Sequence, residues 1–382
     1  MIRKFCRFVR NYREMNEIIR RNNEEILSLK NTIEEKNRQF DNRISDNLNC
    51  IVNVESSLLK IYSVLEYKFW QNRSLENRII YEQMLRNNEG NLKKDFNPLV
   101  SIIIPVFNGS NYMRYAIDSA LNQTYKNLEI IVVNDGSTDD GKTEKIAKSY
   151  GDRIKYISKE NGGVSSALNV GIKNMKGDYF AWLSHDDVLY KNHIEENIRF
   201  LQYCKDDKVI PYSCFDIIDS EGKVKIHDTI SAGIHTSEYK LSLYTRYACI
   251  LRGEVNGGNI IIPRNAFEEC GYFEEGNRIT QEKEMWSRLL KKYKFVNVPI
   301  ITYSIRNHDK QVSSTSDNIL VETRKKLIEI INNITENEMI AESGTVSQFY
   351  LDLYIHYNNN GLKELADEMY RRYEETLKSN SI

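Results

Sequence analysis

From Leu99 onward, short apolar runs alternate with helix-length amphipathic stretches, and this alternation is what most limits how the chain can fold. The pairs are Val100–Phe107 then 111–122, Leu128–Asn134 then 141–150, Ile154–Ser158 then 164–175, and Tyr179–Leu183 then 191–203. A strand–helix repeat of this kind implies an α/β domain with a mostly parallel sheet flanked by helices. Ligands of such sheets bind beyond the carboxyl ends of the strands, so the residues ending each strand are where chemistry is sought.

The fourth strand ends in Ser184-His185-Asp186-Asp187. Adjacent carboxylates repel each other, and partial burial penalises both unless a cation or hydrogen-bond donors compensate. A divalent metal carrying a diphosphate is one arrangement that makes such a pair favourable. A solvated turn with Asp187 helping to cap the next helix is the plainer alternative.

The first strand ends in Pro105-Val106-Phe107-Asn108-Gly109, where proline suits a strand end and Asn-Gly a tight turn. The second ends in Asn134-Asp135-Gly136-Ser137-Thr138-Asp139-Asp140. That acidic turn is not a calcium loop, because Asp140 stands where glycine is needed and Ile146 where glutamate is needed. A carboxylate such as Asp135 can instead accept an N–H from a nucleotide base. After the third strand, Asn161-Gly162-Gly163 lets backbone approach a ligand at a helix start.

Taken in order, these segments resemble the family 2 glycosyltransferases, which have the GT-A fold and use nucleotide-diphosphate sugars. The resemblance spans roughly residues 99–315 and continues through Gly257-Gly258-Asn259, Gln281-Glu282 to Trp286, and Arg306-Asn307-His308. It implies that Pro105, Phe107, Asn108, Asp135, Asn161, Gly162 and Asp186 bind the donor nucleotide and sugar. It further implies that Asp187 and His308 hold Mn²⁺ or Mg²⁺, that Arg306 meets the donor phosphate, and that Gly257, Gly258, Asn259 and Trp286 line the acceptor side. Trp286 also suits core packing. Glu282 takes the place of the family's catalytic aspartate, and a glutamate can do the same general-base work with one more methylene of reach.

Two departures from the family pattern stand out. Glutamate replaces aspartate at position 282, and Leu168 stands where many relatives carry an arginine, so that either Arg264 or Arg306 compensates or donor affinity is altered. The implied activity is an inverting, metal-dependent transfer from a nucleotide-diphosphate sugar, UDP favoured, to a glycan, lipid-linked or protein-linked acceptor. The alternative is a catalytically silent nucleotide-sugar-binding module acting through its helical arm. A dinucleotide-dependent oxidoreductase is excluded by the absence of G-x-G-x-x-G at the first turn.

The flanks are helical. Residues 1–95 contain no proline and only Gly90, and apolar residues from Met15 to Ile51 recur at steps of 4, 7, 3, 4, 7, 4, 4 and 3, close to a coiled-coil seam. This arm offers a route to a homo-oligomer, or folds back on its own body. Residues 316–382 read as a helical C-terminal extension, with helices at Leu320–Ile331, Val346–Tyr357 and Leu362–Leu377. A net charge of −1 argues against nucleic acid as a partner. Six scattered cysteines without a C-x-x-C, no membrane-length apolar run and no signal-peptide pattern point to the cytoplasm.

At the start of the arm, Ile2, Phe5, Phe8, Val9 and Tyr12 share one helix face while Arg3, Lys4, Arg7, Arg10 and Arg13 crowd the rest. Such a helix is either simply a charged helix start or one that lies on an anionic membrane surface, which would put the protein at the inner membrane face. A variant lacking residues 1–20 is then expected to lose binding to anionic vesicles in a sedimentation assay; unchanged binding refutes the membrane contact.

Overall fold

The computed structural model describes residues 79–379 apart from 80, 84, 88–89, 91, 227–243, 246, 252, 254, 277–279 and 310–316. The coiled-coil seam and the basic amphipathic start lie outside the described residues. Tyr81 and Leu85, four residues apart on one helix face, are buried in the main core, with Tyr81 stacked on Phe200 at 6.3 Å between centroids. The last turns of the N-terminal region are therefore part of the body.

The main sheet has the order β3-β2-β1-β4-β9, built from β1 (Val100–Val106), β2 (Leu128–Asp135), β3 (Lys155–Lys159), β4 (Tyr179–Trp182) and β9 (Ile261–Pro263). The first four strands run parallel, and β9 closes the edge antiparallel to β4. All seven residues of β1 are buried. Its run of branched apolar residues suits a central strand covered on both faces, each fully buried side chain contributing about 1.5–3 kcal/mol. The connecting helices are α1 (Met113–Leu121), α2 (Lys142–Lys148), α3 (Val164–Asn174) and α4 (His193–Tyr203). These elements match the alternation read from the sequence to within a few residues at each end.

A second, mixed sheet was not legible as such. Its order is β5-β10-β6-β7, from β5 (Val188–Leu189), β6 (Val209–Ile218), β7 (Val224–Ile226) and β10 (Lys294–Arg306), with β8 (Tyr244–Thr245) also pairing with β10. The strand β10 runs parallel to β6 and antiparallel to β5, Ser304 pairing with Val188 and Tyr303 with Leu189. Because β5 follows Asp187 directly, this short pairing lays the end of β10 beside the paired aspartates.

Along the chain between β8 and β10 come α5 (Tyr247–Leu251), α6 (Asn265–Cys270) and α7 (Gln281–Leu289). The C-terminal region is helical as expected, as α8 (Asp317–Asn332), α9 (Glu336–Ser343), α10 (Val346–Asn359) and α11 (Lys363–Ser379). The short helix α9 went unread, although Thr335 and Glu338 form a capping box at its start. These helices share a second core, including Leu327, Ile331, Phe349, Leu353 and Met369, with Tyr247 and Leu251 of α5.

Helix α3 is drawn tightly onto the sheet at Gly171. A Cβ placed there would sit 2.4 Å from Cγ2 of Ile103 in β1. Gly171→Ala is therefore expected to destabilise the protein by about 1–3 kcal/mol by overpacking, despite alanine's better helix propensity. Urea denaturation measures it, and a gain in stability would contradict this packing.

Candidate active site

Ser184 to Asp187 form a turn closed by the Asp187 amide donating to the Ser184 carbonyl at 3.2 Å. The two carboxylates diverge from it. Asp187 turns inward and is 5% exposed. Its Oδ1 accepts the backbone N–H of Arg306 at 2.8 Å, and its Oδ2 accepts the Tyr303 hydroxyl, so β10 supplies both donors. Burial, reinforced by the neighbouring Asp186 charge, pushes the Asp187 carboxyl well above the usual range against these two hydrogen bonds.

Asp186 stays at the turn, with its Oδ2 3.2 Å from Nε2 of His308. His308, expected to share a cation with Asp187, lies beside Asp186 in the structure. The reason is topological: once the chain enters β5, Asp187 faces β10, whereas Asp186 faces the loop that follows β10. Tyr112 covers His308 at 4.8 Å between ring centroids.

Arg306 does not present an open guanidinium to a phosphate. It is 3% exposed, donating from Nε to the Asp186 carbonyl at 2.9 Å and from Nη1 to the carbonyls of Asp219 and Ser220 at 3.0 and 3.2 Å. The Tyr112 and Tyr115 rings lie 4.7 and 5.4 Å from its Cζ. Its place is that of a clamp between the aspartate turn and the turn after β6. Arg264 is no substitute, since its amide bonds to the Asp178 carbonyl at the amino end of β4, away from the site. Leu168 is fully buried in α3 as a core residue.

At the end of β1, Pro105 is buried, Phe107 is 44% exposed, and Asn108 takes a left-handed conformation. Asn108 ties this turn to the next one: its amide donates to Ser137 Oγ at 2.9 Å and its Oδ1 accepts the Thr138 amide at 2.7 Å. Asp135, 3% exposed, is engaged by its own surroundings. Its carboxylate accepts Lys159 Nζ at 2.8 Å and the amides of Gly162 and Gly163 at 3.0 and 2.7 Å, while Asn161 donates to its carbonyl at 2.9 Å. The ends of β1, β2 and β3 are thereby laced into one rim. Lys159, a cation at this rim, was missed; its position at the end of the third strand was the available signal.

Glu282 begins α7 and accepts the Gly257 amide at 3.2 Å. Burial raises its carboxyl, partly offset by Lys283 and that amide. Gly257, Gly258 and Asn259 form a buried 3₁₀ turn and do not line an open acceptor surface. They pack too tightly for that, a Cβ on Gly257 meeting the Trp182 ring at 2.3 Å and one on Gly258 meeting Tyr303 Cζ at 2.1 Å. Asn259 donates to the Ser213 carbonyl at 2.7 Å. Trp286 is likewise fully buried, edge-on to Phe273 and Phe295, and belongs to the core beneath Glu282. Tyr303, which none of the sequence motifs includes, connects these parts.

A carboxylate and an imidazole, Asp186 and His308, thus face each other at the carboxyl edge of the sheet with side chains 14% and 9% exposed. An oxygen–nitrogen pair suits a divalent cation whose remaining positions are filled from outside the protein. Among the described residues no three His, Cys, Asp or Glu side chains gather as a complete metal cage. No described helix is long and apolar enough to cross a membrane.

The model of the family described as Glycosyl transferase family 2 matches residues 101–271. An uncharacterized glycosyltransferase of Rickettsia typhi is 42% identical over 266 residues, covering 70% of this chain and 82% of the relative. One of Rickettsia bellii is 44% identical over 254 residues, which are 66% of this chain but 36% of that relative's length. Among solved structures, S. aureus TarS 1–349 in complex with UDP-GlcNAc superposes with a TM-score of 0.51 at 14% identity, over 74% of this chain and 92% of that one. That likeness concerns the fold, and the fold is of GT-A type. With the family's motifs at the strand ends and a relative matched over most of its length, the chain belongs to glycosyltransferase family 2.

Proposed function

We propose that the protein transfers a sugar from a nucleotide-diphosphate donor, a UDP-sugar, to a hydroxyl of a glycan, lipid-linked or protein-linked acceptor, with inversion. The observation that carries this reading is the grouping of the aspartate turn and Glu282 about one phenol: the Tyr303 hydroxyl donates to Asp187, its ring meets Gly258, and the adjacent Gly257 amide donates to Glu282. A donor-side pair and a base therefore share one small region at the carboxyl edge of the sheet. The UDP-GlcNAc bound by TarS is in keeping with a uridine donor.

Asp186 and His308 would hold Mn²⁺ or Mg²⁺, with Asp187 fixing the turn from behind. Bound there, the cation would offset negative charge on the departing diphosphate. Glu282, anchored by the Gly257 amide, takes the proton of the acceptor hydroxyl as its oxygen attacks the anomeric carbon. The bond from that carbon to the diphosphate breaks on the opposite face. The rim made by Asn108, Asp135 and Asn161 receives the nucleotide, with Phe107 offering its exposed ring to the base.

Thermal stability with UDP, GDP, dTDP and CMP, each with and without Mn²⁺, tests the donor assignment. UDP at about 100 times its dissociation constant should add roughly 2.7 kcal/mol, only with metal and not in Asp186→Asn. No shift with any nucleotide would favour a silent module. For the base, Glu282→Gln is expected to lower kcat by about 10²–10⁴-fold. A raised carboxyl must lose its proton to act. The rate should therefore climb with pH through a midpoint above the ordinary glutamate value of 4.5, and a kcat profile already flat there removes Glu282 from the role.

A further inference from the structure

We propose that Tyr303 is a positioning residue that sets the donor-side aspartate and the base as one unit; this rests on the reading of Glu282 as the base. The phenol is completely buried. On one side its hydroxyl donates to Asp187 Oδ2, the second of the two bonds that fix this carboxylate to β10. On the other side the ring bears on the Gly257–Asn259 turn. A Cβ on Gly258 would come within 2.1 Å of Cζ and 2.2 Å of the hydroxyl oxygen, so only glycine lets the turn reach the phenol. The preceding amide, that of Gly257, is the one that donates to Glu282.

The chain of contacts is therefore Asp187 to Tyr303, Tyr303 to Gly258, and Gly257 to Glu282, with one rigid ring at its centre. Its strand is fixed independently: Thr302, next in β10, donates to Ser213 Oγ at 2.6 Å and meets His193 Nδ1 at 2.7 Å. With its backbone held on both sides, a displacement of the phenol is felt at the aspartate and at the glycine turn together. Nothing in this arrangement requires the phenol to ionise or to touch substrate.

Two substitutions probe the contact from opposite sides. Tyr303→Phe keeps the ring on Gly258 and deletes the bond to Asp187; Gly258→Ala keeps the hydroxyl and drives the ring away. Each is expected to weaken Mn²⁺-dependent UDP binding by about tenfold and to lower kcat by about tenfold with acceptor KM unchanged, the size expected for a supporting partner. In the double variant the losses should not multiply, since both changes break one link. Hydrogen exchange over the peptide containing Gly257 gives a readout that needs no substrate, and Tyr303→Phe should speed it. Wild-type exchange in that variant, or losses that multiply in the double variant, would overturn the proposal. A wild-type enzyme that transfers no sugar from any donor would instead sink the proposed function, and the exchange result would still decide whether Tyr303 links the two halves.

Discussion

The site depends on one buried carboxylate being held by one strand. Asp187 is removed from water, and an uncompensated buried charge costs several kcal/mol. Its two donors, the Tyr303 hydroxyl and the Arg306 amide, both come from β10, more than a hundred residues along the chain. That pair of bonds joins the aspartate turn to the second sheet, in addition to the core the two sheets share and the bridge between Tyr212 and Ile260. It fastens the aspartate turn after β4 of the main sheet to the end of the longest strand of the second. Arg306 adds its side chain to the same join through the Asp186 carbonyl and the turn at Asp219 and Ser220.

From that join the other parts follow. His308 comes two residues after Arg306, which brings its imidazole to Asp186. The turn whose Gly257 amide holds Glu282 packs against Tyr303, so the proposed base is located by the residue that satisfies the aspartate. On the far side of the aspartate turn, the ends of β1, β2 and β3 are laced by Asn108, Asp135 and Asn161 through hydrogen bonds that no single segment could make. Rigid placement of this kind is what a displacement reaction needs, since reacting atoms must meet near 3 Å.

How much of this was legible follows from where the information sits. The main sheet was readable because strand and helix alternate locally, and its turns carry Asn, Asp and Gly at fixed places. The second sheet was not. Its strands β6 and β10 contain Pro211 and Pro299, which argue against a strand when read locally, and Pro299 falls where the register between Val298 and Ile301 shifts. Their pairing is parallel and distant, so no hairpin signal announces it. For the same reason the burial of the Arg306 side chain and of the Gly257–Asn259 turn was not foreseen, whereas core packing of Trp286 was among the expectations. A motif identifies residue types that meet near a ligand, but whether each touches the ligand or props up one that does depends on burial, which spacing does not encode.

The paired aspartates show why both are needed side by side. On a tight turn, consecutive side chains diverge, so one carboxylate can face the strand that anchors the turn while the other faces the opening. Two outward carboxylates would repel each other across the opening with no fixed geometry, and two inward ones would bury a double charge against two donors. One inward and one outward gives an anchored turn and a presented ligand from adjacent positions. The inward member carries the cost of burial, offset by β10. The outward member, with His308 opposite and Arg306 holding its carbonyl, keeps its carboxylate at the opening, where the proposed cation would be held.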